Sequence, residues 1–358
     1  MKWEYTVVQA RPSLAHLPSY IPGRKLPDAA LLASNESPYG PLPGVTARLA
    51  ELAGGVSRYP DMSATRLRES IAADLGVTAD RVAVGAGSSE VCGQLLHTVV
   101  DPGDEVIFGW RSFEAYPILT GVAGGTAVRT ALRDHALDLD AMAEAVTVRT
   151  RLIFVCNPNN PTSTAVGEAE LRAFVDRIPD DVLIVVDEAY REYTDPAAVP
   201  DALALFGDRP NVVVLRTFSK AYALAGLRIG YCVGDPEIIA QVRKTQVPFS
   251  VSALAQEAAI AALAEGEEVA RRARLTVGER DRVTAKLRSI GYEVPVSQAN
   301  FLWLPLGSRS AHLGDHCLDG GVVLRTFTGD GVRVTIGLAQ ENDLFLALAE
   351  SWAGGIGY

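Results

Sequence analysis

Between residues 64 and 248 the chain alternates two kinds of pattern. Short, largely apolar runs stand at Val82–Ala86, Glu105–Gly109, Ala127–Ala131, Leu152–Cys156, Val182–Asp187, Val212–Arg216 and Ile229–Val233. Stretches with apolar residues three and four apart separate them, such as Ser88–Val100 and Glu168–Arg177. A strand apolar on both faces, as in Leu152-Ile-Phe-Val-Cys156, belongs in a mostly parallel sheet with helices on each side. The alternation predicts a doubly wound α/β domain.

The pattern changes at both ends. Residues 1–44 are rich in Pro and Gly and read as an extended arm laid on a surface, with Trp3, Tyr5, Tyr20 and Tyr39 as anchors. From Ser252 to about Ile290 runs one long helical pattern. Strands are predicted at Tyr292–Val296, Phe301–Pro305, Val322–Arg325 and Val332–Ile336, and a closing helix at Glu341–Trp352. The expected organisation is an arm (1–44), a large domain (45–248) and a smaller α+β domain (249–358). A length of 358 residues fits that count, at roughly 150 residues per domain.

Composition narrows the function. Hydrophobic residues make up 48% and charged residues 21%, as in globular proteins. The net charge of -10 lacks the basic footprint of a nucleic-acid binder, though it leaves room for a local anion pocket. No run approaches the roughly 18 apolar residues of a membrane span, and the N-terminus has no signal-like apolar core. A cytoplasmic protein without membrane or nucleic-acid partners is expected. Cys92, Cys156, Cys232 and Cys317 are too scattered for a zinc site and read as free thiols. None of the five histidines stands in a base-and-nucleophile arrangement.

In open α/β sheets, ligands sit beyond the carboxyl ends of the strands. Four strand ends here carry polar clusters: Gly85-Ala-Gly87-Ser88-Ser89-Glu90, Asn157-Pro-Asn-Asn160-Pro161-Thr162, Asp187-Glu-Ala-Tyr190 and Thr217-Phe-Ser219-Lys220. A lysine after a strand is by default a solvated surface residue. Held in a cleft beside another cation, its amine loses its proton and becomes a nucleophile. Arg228, with the hydroxyls of Thr217 and Ser219, suits a phosphate beside that amine. Ser88 and Ser89 open a helix whose free N–H groups attract an anion. A dinucleotide fingerprint competes for this turn, but its third glycine would stand where Glu90 does. Asp187 ends an apolar strand, either capping the next helix or pairing with a buried heteroaromatic N–H. Across 3–4 Å at an effective dielectric near 20, such a pairing gains roughly 4–5 kcal/mol. Tyr190 and Asn160 could reach an oxygen on the same ring.

Taken together these segments resemble fold type I pyridoxal-phosphate enzymes, closest to the histidinol-phosphate aminotransferase subfamily and, within it, to the aromatic amino acid (phenylalanine) aminotransferases. The likeness also covers Leu32-Ala-Ser-Asn-Glu-Ser-Pro-Tyr-Gly40, Arg58-Tyr-Pro-Asp61, Trp110-Arg-Ser-Phe-Glu-Ala-Tyr116, Asn300-Phe-Leu-Trp-Leu-Pro305 and Gly331-Val-Arg-Val-Thr335. It implies that pyridoxal phosphate is bound through Lys220, with Asp187 at the pyridine nitrogen and Tyr190 and Asn160 at the ring oxygen. Ser88, Ser89, Thr217, Ser219 and Arg228 would form the phosphate cup, with Phe113 stacked on the ring. Tyr59 would reach the phosphate of a partner subunit, making the site a property of a homodimer. Arg333 would grip the substrate carboxylate, Arg325 would be a second basic residue of the pocket, and Tyr20 and Asn35 would line it. The family's usual Asn-Pro-Thr-Gly turn carries Ser163 instead of glycine. The activity so implied is transfer of an amino group between a phenylalanine-like amino acid and a 2-oxo acid such as 2-oxoglutarate. The alternatives are histidinol phosphate as donor or, from another class, an NAD-binding oxidoreductase.

Overall fold

The computed structural model describes residues 8–11, 14–19 and 26–355. Its strands, in chain order, are β1 (Ala30–Leu32), β2 (Val82–Gly85), β3 (Glu105–Trp110), β4 (Thr126–Arg133), β5 (Ala136–Leu137), β6 (Thr150–Cys156), β7 (Leu183–Asp187), β8 (Val212–Thr217), β9 (Gly230–Val233), β10 (Phe301–Leu304), β11 (Val322–Phe327) and β12 (Gly331–Thr335). Eight of them form one sheet in the order β2-β9-β8-β7-β6-β3-β4-β5. Neighbours among β8, β7, β6, β3 and β4 pair in parallel. β9 runs antiparallel to both β2 and β8, and β5 antiparallel to β4.

The apolar runs are continuous because both faces of this sheet are covered. Side chains alternate across a strand, so Leu152, Phe154, Leu183, Val185, Val213 and Leu215 join one core. Their neighbours Ile153, Val155, Ile184, Val186, Val212 and Val214 join another on the opposite face. Parallel register brings Cys156, Asp187 and Leu215 side by side, so the polar clusters that follow β6, β7 and β8 emerge at one edge.

The second sheet has four strands, β1-β11-β12-β10. A stretch of the proline-rich segment supplies β1, parallel to β11, so part of the expected arm is sheet. Two expectations need correction. The helical pattern from Ser252 to Ile290 is two helices, Ala253–Leu263 and Gly266–Ser289. Glu265 leaves helical geometry between them, and its carboxylate accepts the Gly44 N–H at 2.8 Å. Residues 292–296 form no strand. Tyr292 and Val294 are buried while Val296 is 67% exposed, so the alternation reports burial without pairing. Pro295 has no N–H to offer a ladder, and the Val294 carbonyl is taken by Arg288 Nη2 at 2.6 Å. All four cysteines are buried free thiols. No described helix is long and apolar enough to cross a membrane, and the described residues hold no metal-binding cluster of His, Cys, Asp and Glu.

Candidate active site

The carboxyl edge of the large sheet opens into a cavity of about 490 Å³ closed on its far side by β11 and β12 residues. β2 leads into it through Gly87, whose φ of +84° an L side chain rarely adopts. A Cβ there would lie 2.2 Å from Arg228 Nη2, and one on Gly230 would lie 2.2 Å from the Ser88 nitrogen. Glycine at both positions lets the Arg228 guanidinium, β9 and the first turn of the helix Ser88–Val99 close on one another. Arg228 Nη1 donates to Ser219 Oγ at 3.2 Å. Thr217 Oγ1 accepts the Ser219 N–H at 3.1 Å. Ser88 and Ser89 occupy the first turn, where backbone N–H groups have no intrahelical acceptor. All five of these residues line the cavity. Hydroxyls, free amides and one guanidinium make a cup shaped for an anion, the group expected there.

Lys220 reaches in from the end of the strand that carries Thr217. Its Nζ donates to the Ser34 carbonyl at 3.1 Å and sits 6.0 Å from the Tyr190 ring. Burial, reinforced by the Arg333 guanidinium, brings its ammonium pKa down from 10.5 to about 7. Asp187 is 4% exposed at the end of β7. Burial raises its carboxyl from 3.8 to about 6, against the pull of two donors. These are Tyr116 Oη at 2.6 Å and the Ala189 N–H at 3.2 Å. A carboxylate facing this cavity with only neutral donors at its side is costly by itself, and a cationic partner would relieve that cost.

Tyr190 Oη accepts from Asn35 Nδ2 at 3.0 Å, and burial raises its phenol pKa. Asn35 is locked in turn to Thr335, whose Oγ1 accepts the Asn35 N–H at 2.9 Å and donates to its Oδ1 at 3.0 Å. Arg333 Nη1 donates to Asn160 Oδ1 at 2.6 Å, Nη2 donates to the Ala33 carbonyl, and the guanidinium lies 5.5 Å over Phe301. Arg325 Nη2 pairs with Glu114 Oε2 at 2.6 Å. Phe113 lines the cavity, edge-on to Tyr116 with centroids 5.4 Å apart.

Of the residues singled out in the sequence, two stand apart. Tyr59 lies outside this cavity, 83% exposed and stacked on Phe249 at 4.6 Å. Tyr20 falls outside the described residues. The sequence reading passed over Tyr116, which holds Asp187, and Glu114, which holds Arg325. Tyr116 comes three residues after Phe113, on the same face of the turn that opens the helix Ala115–Ala123, a spacing that could have flagged it. Nothing local marked Glu114, whose partner is 211 residues away.

A nucleophilic amine, an anion cup and a buried carboxylate around one cavity are the parts of an enzyme working through a flat, anionic cofactor. Relatives point the same way. A protein from Mycobacteroides abscessus called an aromatic amino acid aminotransferase is 54% identical over 342 residues, covering 96% of this chain and 98% of its own length. One of the same description from Thermobifida fusca is 51% identical over 346 residues, covering 96% of each chain. Among solved structures, histidinol-phosphate aminotransferase from Sinorhizobium meliloti, in complex with pyridoxal-5'-phosphate, superposes with a TM-score of 0.89 at 28% identity. That match spans 98% of this chain and 99% of the other. The family model described as aminotransferase class I and II matches residues 27–347. With that much of its length accounted for, and with the α/β architecture of fold type I, the chain belongs to the class I and II aminotransferases.

Proposed function

We propose that this protein transfers the amino group of a phenylalanine-like aromatic amino acid to a 2-oxo acid such as 2-oxoglutarate, with pyridoxal phosphate as cofactor. The observation that carries the reading is the convergence of Lys220, with its amine near pH 7, and the buried Asp187 on one cavity that also contains the anion cup. The donor set fits the cofactor group by group. Ser88, Ser89, Thr217, Ser219 and Arg228 would hold its phosphate. Asp187 would pair with the pyridine N–H, and Tyr190 and Asn160 would serve the ring oxygen. Phe113 would cover a face of the ring, and Lys220 would make the covalent attachment.

Bound there, pyridoxal phosphate supplies an electron sink for the pair released when the substrate Cα–H bond breaks. The chain's own residues do the rest. Arg333 binds the substrate carboxylate through its fork, a contact of roughly 1.5–3 kcal/mol that also fixes which bond at Cα faces Lys220. Above pH 7 the Lys220 amine is free to take the Cα proton and to hand one back as general acid. Asp187 keeps the cofactor nitrogen protonated, and Tyr116 keeps Asp187 aimed at it. Two substrates using one cavity in turn give ping-pong kinetics.

An aromatic side chain suits the wall formed by Phe113, Ile118 and Leu119. The names of the relatives that are more than half identical agree with it. Histidinol phosphate is the second reading, because Arg325 and Arg333 stand opposite each other across β11 and β12 and could share a phosphate. The active molecule in this proposal is a cytoplasmic homodimer in which Tyr59 completes the partner's phosphate site. Each subunit divides into an arm (1–44), a large domain (45–248) and a small domain (249–358); Asn35 lines the pocket, and Tyr20 is proposed as a further substrate-binding residue. Purified protein should show a visible absorbance that borohydride removes. Initial rates with phenylalanine and histidinol phosphate, measured side by side, should favour phenylalanine. If Lys220→Ala kept both the absorbance and the turnover, the mechanism would be wrong.

A further inference from the structure

We infer, on the proposed placement of Tyr190 at the cofactor ring oxygen, that Asn35 is a positioning residue that holds the Tyr190 hydroxyl as a donor towards that oxygen. Asn35 is 1% exposed and lines the cavity beside Tyr190. Each of its polar atoms is engaged. Its N–H donates to Thr335 Oγ1 at 2.9 Å, its carbonyl accepts from Asn300 Nδ2 at 3.1 Å, and its Oδ1 accepts from Thr335 Oγ1 at 3.0 Å. Its backbone φ of +54° is one that Asn tolerates better than most residues. A hydroxyl has a single proton, and Thr335 gives it to Asn35 Oδ1. The amide therefore turns Nδ2 to Tyr190, whose Oη accepts at 3.0 Å. With that contact made, the one phenolic proton is left to point into the cavity. The Tyr190 ring is held edge-on against Phe301, with centroids 5.0 Å apart. Phe301 and Thr335 are direct partners in the β10–β12 ladder. One rung of the small sheet thus sets the Tyr190 ring and, through Asn35, the direction of its proton. An O–H aimed at the ring oxygen stabilises negative charge there. It lowers the pH at which the nitrogen joined to Lys220 gives up its proton, and so readies the site for the proton of an arriving ammonium.

The test follows the visible absorbance of the protein loaded with pyridoxal phosphate as pH is varied. Tyr190→Phe should raise the midpoint by about one to two pH units, the worth of a hydrogen bond to a charged oxygen. Asn35→Asp keeps the size but offers Tyr190 a carboxylate, which takes the phenolic proton. Its added charge also moves the midpoint, so the quantity to read is the effect of Tyr190→Phe in each background. With Asn35→Asp already in place, Tyr190→Phe should leave the midpoint where it stands. Thr335→Val frees Asn35 Oδ1 to turn to Tyr190 and should shrink the effect of Tyr190→Phe. Thr335→Ser, which keeps the hydroxyl, should preserve it. Should Asn35→Asp fail to fold, the Thr335 pair carries the same comparison. An effect of Tyr190→Phe equal in the wild-type, Asn35→Asp and Thr335→Val backgrounds would overturn the role of Asn35 and leave Tyr190 at the ring oxygen. No effect of Tyr190→Phe in any background would overturn both.

Discussion

Replacing Asp187 by Asn should make the cofactor-free protein more stable while destroying its activity. Asp187 has a carboxyl pKa of about 6 against a usual 3.8. The gap of about two units corresponds to about 3 kcal/mol. The sign follows from proton counting. With its pKa raised on folding, Asp187 binds its proton more tightly in the folded chain than in the unfolded one. Its contribution is therefore favourable in acid and is lost as pH rises through about 6. Above that pH the folded chain holds a buried, ionised carboxylate at a cost of about 3 kcal/mol, and at pH 5 the cost is about 1.5 kcal/mol. Asn carries no charge and escapes this cost. It keeps one of the two acceptor contacts, to Tyr116 or to Ala189, and gives up the other, a loss of about 1 kcal/mol.

The balance leaves Asp187→Asn ahead of the wild type by about 2 kcal/mol at pH 8 and by only about 0.5 kcal/mol at pH 5. Urea unfolding of both cofactor-free proteins at the two pH values, followed by tryptophan fluorescence, measures this directly. A variant no more stable than wild type at pH 8, or an advantage independent of pH, would refute the argument. With cofactor supplied, the same variant should lose about 10³-fold in rate, since a charge pair at 4 Å and a dielectric near 20 is worth about 4 kcal/mol. The carboxylate destabilises the empty fold because it is placed to serve a cation.

Other consequences can be checked with simpler variants. Because the Lys220 ammonium titrates near 7, the free amine grows from about a tenth at pH 6 to about nine-tenths at pH 8. Capture of added pyridoxal phosphate by the cofactor-free protein, read from its visible absorbance, should accelerate about ninefold over that range and then level off; a rate still climbing tenfold per unit at pH 9 would contradict it. Gly87→Ala places a methyl against Arg228 at a φ of +84°. It should cost about 1–2 kcal/mol in stability and weaken cofactor binding by about tenfold or more as the guanidinium is pushed aside, so an unchanged affinity in a fluorescence titration would count against the cup. Ser163 sits at a φ of +63°, fully buried, with a hydroxyl that finds no partner among the described residues. Ser163→Gly should raise stability by about 1 kcal/mol, seen as a higher urea midpoint with an unchanged slope.

The large sheet was legible because its strands are short, apolar on both faces and bounded by polar turns. The same features placed the site, since a parallel sheet puts every strand's last residue at one edge. Asp187 ends one strand, Lys220 and the turn at Gly87 follow two others within three residues, and no distant contact was needed to bring them together. The small domain was harder to read. Tyr292–Val296 alternates like a strand, yet Pro295 and the Arg288 side chain remove the groups a ladder requires. Strand β1 is three residues long in a proline-rich stretch, and it is a strand only because β11 lies beside it. Local propensity carries no trace of such pairing.

The same distinction separates what the sequence tells about cofactor chemistry from what it tells about substrate choice. Groups expected at the cofactor come from loops of the large sheet, each placed by the strand before it. Groups expected at the substrate are set by closures between distant segments. Asn35 is fixed by Thr335, 300 residues away, and Arg325 by Glu114, 211 residues away. An arginine's presence in a strand gives its position but not its available charge, because that charge depends on whether a carboxylate from another segment already occupies it. Arg325 and Arg333 look alike in the sequence, eight residues apart, and they oppose each other in the fold. Arg325 pairs with the Glu114 carboxylate, and Arg333 donates to Asn160 and to the Ala33 carbonyl. Which substrate such a pocket takes is therefore decided by pairings between distant segments that only the fold brings together.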